Sequence, residues 1–191
     1  MAKGKLIIIS APSGTGKSTI IAELMKQEEL KLEFSISATT RPPRGSEKHG
    51  VEYYFLTLED FRQRIKHNEF AEYHEVYEGR YYGTLKSEIK RITSKGHNVV
   101  LDLDVLGGID VKKIYGNKAL ALFISPPSIE TLRQRLLSRG TDSLEDINNR
   151  VDRAAYELSF ADKYDCCVVN DVLADAVAQA REIITEFIKG K

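Results

Sequence analysis

Ile7-Ile8-Ile9-Ser10-Ala11-Pro12-Ser13-Gly14-Thr15-Gly16-Lys17-Ser18-Thr19 joins an apolar strand to a helical pattern through a Gly-rich loop. Strand, loop and helix in that order are the context a phosphate-binding P-loop requires. Successive backbone N–H groups of such a loop curl around a phosphate. The first helical turn adds unpaired N–H groups and a positive dipole end. Lys17 is placed to reach terminal phosphates, and the Ser18 hydroxyl to meet a magnesium ion. The general pattern opens with Gly where Ala11 stands here, a small residue. A plain Gly/Ser turn is the competing reading, and Gly16-Lys17-Ser18 behind an apolar strand argues against it.

The rest of the 191-residue chain suits one compact domain with inserted lobes. Lys plus Arg equal Asp plus Glu at 28 each, which argues against a general nucleic-acid or membrane binder. No apolar run approaches membrane-spanning length. Met1-Ala2-Lys3-Gly4-Lys5 runs straight into a strand, so no signal peptide is expected and the cytoplasm is the expected location. Cys166 and Cys167 are adjacent, too close for an unstrained disulfide and too few for a zinc site, and read as buried free thiols.

Short apolar strands alternate with helices along Lys5–Ser10, Lys17–Gln27, Asn98–Asp104, Ala119–Ile124 and Cys166–Asn170. That pattern predicts a largely parallel sheet of about five strands, covered on both faces. A Gly107-Gly108 bend is expected to precede a helix over Ile109–Ile114. Thr57, Ser128 and Ser143 read as helix N-caps, Glu78-Gly79 as a hairpin turn and Gly140-Thr141-Asp142 as a break. An apolar stripe from Ala176 to Ile188 packs the last helix on the core. Two regions fit the alternation poorly, about 36–90 and about 126–160. Both follow strand C-terminal ends, where open α/β sheets bind ligands.

In the first of these regions Arg41 and Arg44 flank the stiff Pro42-Pro43 turn, and two guanidinium forks so placed can grip one phosphate. Glu52-Tyr53-Tyr54-Phe55, Asn68-Glu69-Phe70-Ala71-Glu72-Tyr73 and Arg80-Tyr81-Tyr82-Gly83-Thr84 gather tyrosines, hydroxyls and a carboxylate nearby. These pieces, with the P-loop, Ser37 to Gly45, Leu101-Asp102-Leu103-Asp104, Pro126-Pro127-Ser128, Arg139-Gly140-Thr141 and Val168-Val169-Asn170-Asp171, stand in order along the chain. In them the sequence resembles the guanylate kinase family over nearly its whole length.

The resemblance implies a single α/β domain: a P-loop three-layer sandwich with a five-stranded parallel sheet core (1–35, 91–125, 161–191), an inserted GMP-binding lobe (36–90) and a helical lid (126–160). It implies phosphoryl transfer from ATP to GMP with Mg2+, giving ADP and GDP, with no nucleic-acid or membrane partner. The oligomeric state stays open between monomer and homodimer. Ala11, Pro12, Ser13, Gly14, Thr15, Gly16, Lys17, Ser18 and Thr19 would bind ATP, Asn170 would touch adenine, and Ser18 would serve the metal. Arg41, Arg44, Tyr53 and Tyr82 would hold the GMP phosphate, and Ser37, Glu72 and Thr84 would read guanine. Lys17, Arg41 and the lid arginines Arg135, Arg139 and Arg150 would neutralise the transferred group, while Arg133 and Arg153 match nothing in the family.

The chemistry of Glu72 agrees with that assignment. Guanine presents a ring N–H and an exocyclic amine side by side, and one carboxylate accepts both, whereas adenine sets a ring acceptor against it. Asp102 and Asp104 alternate with apolar residues, so both carboxylates share one side of the strand. Asp102 falls to the GMP side by the resemblance; Asp104 has two readings, GMP or water-coordinated magnesium. The family motif has Gln where Leu106 stands. Two rival readings remain: a noncatalytic family-like module that binds proteins, and a P-loop kinase for another acceptor.

Overall fold

The computed structural model describes residues 4–138, 140 and 143–190, the side chain of Tyr77 excepted. Its centre is a five-stranded parallel sheet in the order β2-β7-β1-β8-β9. These strands are Leu6–Ser10 (β1), Leu32–Phe34 (β2), Asn98–Asp102 (β7), Ala119–Ser125 (β8) and Cys166–Val169 (β9). β1 is buried from end to end, flanked in register by β7 and β8, as expected for a central parallel strand. Its side chains alternate between two cores. Ile7 and Ile9 face a cluster with Ile20, Leu24, Leu122, Ile124, Ala180 and Ile184, which seats the helices Lys17–Met25 (α1) and Leu173–Lys189 (α7). Ile8 faces Ile92, Leu101, Val111 and Phe123, which seats Lys86–Thr93 (α3) and Val105–Tyr115 (α4).

A second sheet, β4-β3-β6-β5, stands beyond the strand ends. It comprises Ala38–Thr39 (β3), Tyr54–Phe55 (β4) and the antiparallel pair Phe70–Tyr77 (β5) and Arg80–Leu85 (β6). Its own small core stacks Phe61 of Leu58–Lys66 (α2) on Phe70 at 4.3 Å, with Ala38 and Leu85. The Thr57 hydroxyl caps α2 by accepting from Asp60 N–H, as its position predicts. A helical pair, Ile129–Ser138 (α5) and Leu144–Leu158 (α6), closes on a fourth cluster of Leu132, Leu136, Ile147 and Ala154. Ser128 and Ser143 cap these helices, accepting from Thr131 N–H and Asp146 N–H. Of the expected 140–142 break, Thr141 and Asp142 lie outside the described residues. No helix among the described residues is long and apolar enough to cross a membrane.

Two expectations are corrected. Gly107 and Gly108 do not bend the chain before a helix; they lie inside α4, which begins at Val105 under an Asp104 cap. These glycines serve close approach. A Cβ on Gly108 would sit 2.4 Å from Tyr164 Oη and 2.7 Å from Ser10 Oγ, and one on Gly107 would meet Asp104 and Glu72. The thiols are not both buried: β9 is the sheet edge, so Cys167 is exposed and Cys166 half-buried.

Gly108→Ala therefore forces α4 off the sheet. We expect a loss of ~1–3 kcal/mol in unfolding free energy, read from the urea midpoint. An unchanged midpoint would contradict this packing.

Candidate active site

The loop after β1 is shaped by two glycines in the left-handed region, Gly14 at φ 92° and Gly16 at φ 89°. At Gly16 a side chain is excluded twice, by its backbone angle and because a Cβ would meet Asn170 Nδ2 at 2.5 Å. The loop is held from inside by the Thr15 hydroxyl, which donates to Pro12 O at 2.9 Å. It is held from below by Asn170, whose Nδ2 donates to Thr15 O at 2.7 Å. Asn170 is buried beneath the loop rather than open to the cleft, so in this arrangement it braces the loop.

Above the loop lies a cleft of about 800 Å³, lined by Ala11–Thr19, by Asp102, Leu103 and Asp104 at the end of β7, and by Asp146, Asn149, Arg150, Arg153 and Glu157 of α6. Lys17 pairs with Asp102, and its Nζ also lies 3.3 Å from Leu103 O. Arg150 Nη1 lies 3.4 Å from Ser13 Oγ. Ser18 and Thr19 line the opening as exposed residues. Asp104 accepts from Gly107 N–H at 2.7 Å, so capping α4 fixes its carboxylate at the cleft edge.

A second cleft of about 300 Å³ opens beside the first, under the four-stranded sheet. Ser37, Tyr53, Glu72, His74, Tyr82 and Gly83 form one side, and Asp102, Leu103, Asp104 and Arg153 the other. Tyr53 and Tyr82 meet edge to face at 6.1 Å. Antiparallel register sets Glu72 opposite Thr84, whose hydroxyl donates to Glu72 Oε1 at 2.7 Å. Burial pushes the Glu72 carboxyl above its ordinary range, and Asp104 adds to the rise, while Thr84 and His74 oppose it.

Arg41 sits at the edge of this region, buried, forked onto Glu47 at 2.8 and 3.0 Å and over the Tyr53 ring at 5.2 Å. The Glu47 hydrogen bonds strengthen its hold on the proton, and Arg41 in turn lowers the Glu47 carboxyl to about 2. Arg44, on the same turn, is exposed and donates its backbone N–H to Glu47 at 2.7 Å. The Glu47 partnership is a feature the sequence reading missed; its signal was the single acid three residues after Arg44.

The lid arginines divide. Arg150 faces the P-loop cleft, as expected. Arg135 does not: its guanidinium donates to Asn170 O at 2.8 Å and Asp171 O at 3.2 Å, tying α5 to the end of β9. Arg139 lies outside the described residues. Arg153, set aside in the sequence reading, lines both clefts and pairs with Glu157 at 2.9 Å. Its signal was the three-residue step from Arg150, which keeps both on one helical face.

For magnesium, no group of three or more His, Cys, Asp or Glu among the described residues forms a cage. The oxygen atoms that could meet such an ion are the Ser18 hydroxyl and the carboxylates of Asp102 and Asp104, all lining the P-loop cleft. Such a set suits an ion that keeps its waters and rides on nucleotide phosphates.

The guanylate kinase family model matches residues 3–187. The chain belongs to the guanylate kinase family. It is 60% identical to the guanylate kinase of Bacteroides thetaiotaomicron over 185 residues, covering 97% of this chain and 90% of that one. Against the Porphyromonas gingivalis guanylate kinase it is 59% identical over 184 residues, covering 96% and 98%. The crystal structure of guanylate kinase from Anaplasma phagocytophilum superposes with a TM-score of 0.75 at 27% identity, covering 98% of this chain and 88% of that one. The chain is thus a nucleotide-binding transferase of purine metabolism, an ATP:GMP phosphotransferase.

If Glu72 is to accept from guanine as the resemblance implies, it must be ionised; the pocket raises its pKa, so that affinity would be lost as pH falls through the raised value. We expect KM for GMP to climb on acidification while the pH is still above the usual carboxylate range, with KM for ATP flat. For folding, a raised carboxyl contributes stability below its unfolded pKa that is lost as pH rises through the folded one. A KM for GMP that is level across mildly acidic pH would contradict the assignment.

Proposed function

We propose that the P-loop cleft receives ATP and the smaller cleft receives GMP, with residues 36–90 as the acceptor lobe and 126–160 as the lid. The observation that carries this reading is the shared wall: Asp102, Leu103, Asp104 and Arg153 line both clefts, so ligands filling them would meet end to end. Phosphoryl transfer asks for in-line placement and charge neutralisation rather than covalent help. The N–H groups from Gly14 to Ser18 would cradle the donor phosphates. Lys17 would exchange part of its attachment to Asp102 for the terminal phosphate. Arg150, and Arg139 from outside the described residues, would cover the transferred group, and Arg135 would fix the lid helix to the core instead of touching substrate. Arg41, Arg44, Tyr53 and Tyr82 would seat the acceptor phosphate, with Glu47 orienting Arg41. A phosphate acceptor is already ionised, so no general base is required. Mg2+, held through the Ser18 hydroxyl, would supply neutralisation of charge on the bridging phosphates when bound. The proposed setting is the cytoplasm.

The acceptor identity follows from Glu72, with Ser37 and Thr84 beside it. Glu72→Gln keeps the size, but the amide accepts only one of guanine's two donors and opposes the other with its own N–H. We expect the GMP-to-AMP ratio of kcat/KM to fall, by ~1–3 kcal/mol at most in guanine affinity, with KM for ATP unchanged. An unchanged ratio would return Glu72 to the role of an ordinary buried acid.

Lys17→Ala tests the other cleft. Turnover should fall by roughly a hundredfold or more, while the circular dichroism spectrum and thermal midpoint remain close to wild type. Near-normal kcat in the folded variant would remove Lys17 from the chemistry.

A further inference from the structure

His74 has no part in the roles assigned above. Along β5, residues two apart share a face, so His74 follows Glu72 into the smaller cleft. Its ring is partly exposed to that cleft, yet Nε2 itself is buried and has no hydrogen-bond partner among the described residues. Leaving such a group unpaired is costly, which marks it for a hydrogen bond gained by a small shift within the cleft. Nε2 lies 3.8 Å from Glu72 Oε2, just beyond hydrogen-bond length. The other oxygen, Oε1, is held by the Thr84 hydroxyl. A Cβ on Gly107 would come within 3.2 Å of Asp104 Oδ1 and 3.4 Å of both Glu72 Oε2 and His74 Nε2, so these three atoms surround one point over the first turn of α4.

The order of groups on the purine edge then decides which part of it reaches His74. Guanine presents, in sequence, the O6 acceptor, the N1–H donor and the exocyclic amine. O6 needs a donor, and the Oε1 end of Glu72 is the end that carries a hydroxyl, that of Thr84, which can turn from Oε1 to O6 once N1–H takes its place on the carboxylate. N1–H therefore falls to Oε1 and the amine to Oε2, on the side of His74 and Asp104. There two carboxylates face each other, an arrangement that repels and that an N–H between them relieves.

We propose that His74 is a positioning residue that sets specificity in the base pocket: with its proton on Nε2 it holds Glu72 Oε2 for the exocyclic amine, and so favours guanine over 6-oxopurines that lack that amine. The proposal rests on the reading that the Glu72 cleft takes the base of GMP.

Steady-state kinetics with GMP and with IMP, which keeps O6 and N1–H but has no amine, tests it on the wild type, His74→Ala, His74→Gln and Glu72→Gln. His74→Ala should raise KM for GMP about tenfold, with kcat, KM for ATP and KM for IMP close to wild type. His74→Gln, whose amide N–H reaches near the position of Nε2, should recover most of the loss. An unchanged KM for GMP in His74→Ala, an equal rise for GMP and IMP, or failure of Gln to rescue overturns the proposal. If Glu72→Gln weakens GMP while the His74 variants are silent, only the role of His74 falls. If Glu72→Gln leaves KM for GMP unchanged, the assignment of the cleft falls instead.

Discussion

The geometry of the nucleotide site depends on how the P-loop is held from beneath. Two glycines in the left-handed region turn its N–H groups inward, and such a loop is stiff only if its carbonyls are satisfied. Asn170 supplies that constraint through its bond to Thr15 O, from the end of β9 and 155 residues away in sequence. The carbonyl of the same Asn170 accepts from Arg135. One residue at the end of the last core strand therefore joins the first loop to the helical pair above the cleft. The edge strand β9 thus has a structural task in addition to closing the sheet.

A second constraint is electrostatic. Asp102 and Asp104 emerge where β7 ends, each with an assigned partner: Lys17 for Asp102, the α4 cap for Asp104. The half-buried carboxylate of Asp102 is tolerable because it is paired, while Asp104 is exposed and held by its cap on α4. The same placement puts negative charge between the two clefts, where phosphates would meet, so cations must dominate around it once nucleotides bind. Lys17, Arg150 and Arg153 stand on the rim of that cleft. Glu157 restrains Arg153 across one helical turn, at 2.9 Å.

Local signals were the most legible in the sequence. The P-loop, the three hydroxyl caps, four of the five core strands and the terminal helix all follow from spacing within a few residues, and the structure places them accordingly. The readings that changed depend on contacts between distant parts of the chain. Gly107-Gly108 reads as a breaker until Tyr164 and Ser10 are seen to press on α4. Arg135 and Arg150 look alike on paper, yet one bonds carbonyls at the end of β9 and the other faces Ser13. Cys166 and Cys167 sit in an apolar stretch, but nothing in that stretch says that β9 is an edge. His74 carries no local signal at all; only the register with Tyr82 and the approach of α4 give it a neighbourhood.

The central claim is that two adjoining clefts, divided by the end of β7, take the donor and the acceptor. A crystal structure with a bisubstrate analogue, adenosine and guanosine joined through a phosphate chain, tests it most directly. The account predicts phosphates on the N–H groups of Gly14 to Ser18, a chain passing Asp102 and Arg153, and the guanine edge against Glu72. Guanosine bound away from Glu72, or phosphates lying off the loop, would contradict it.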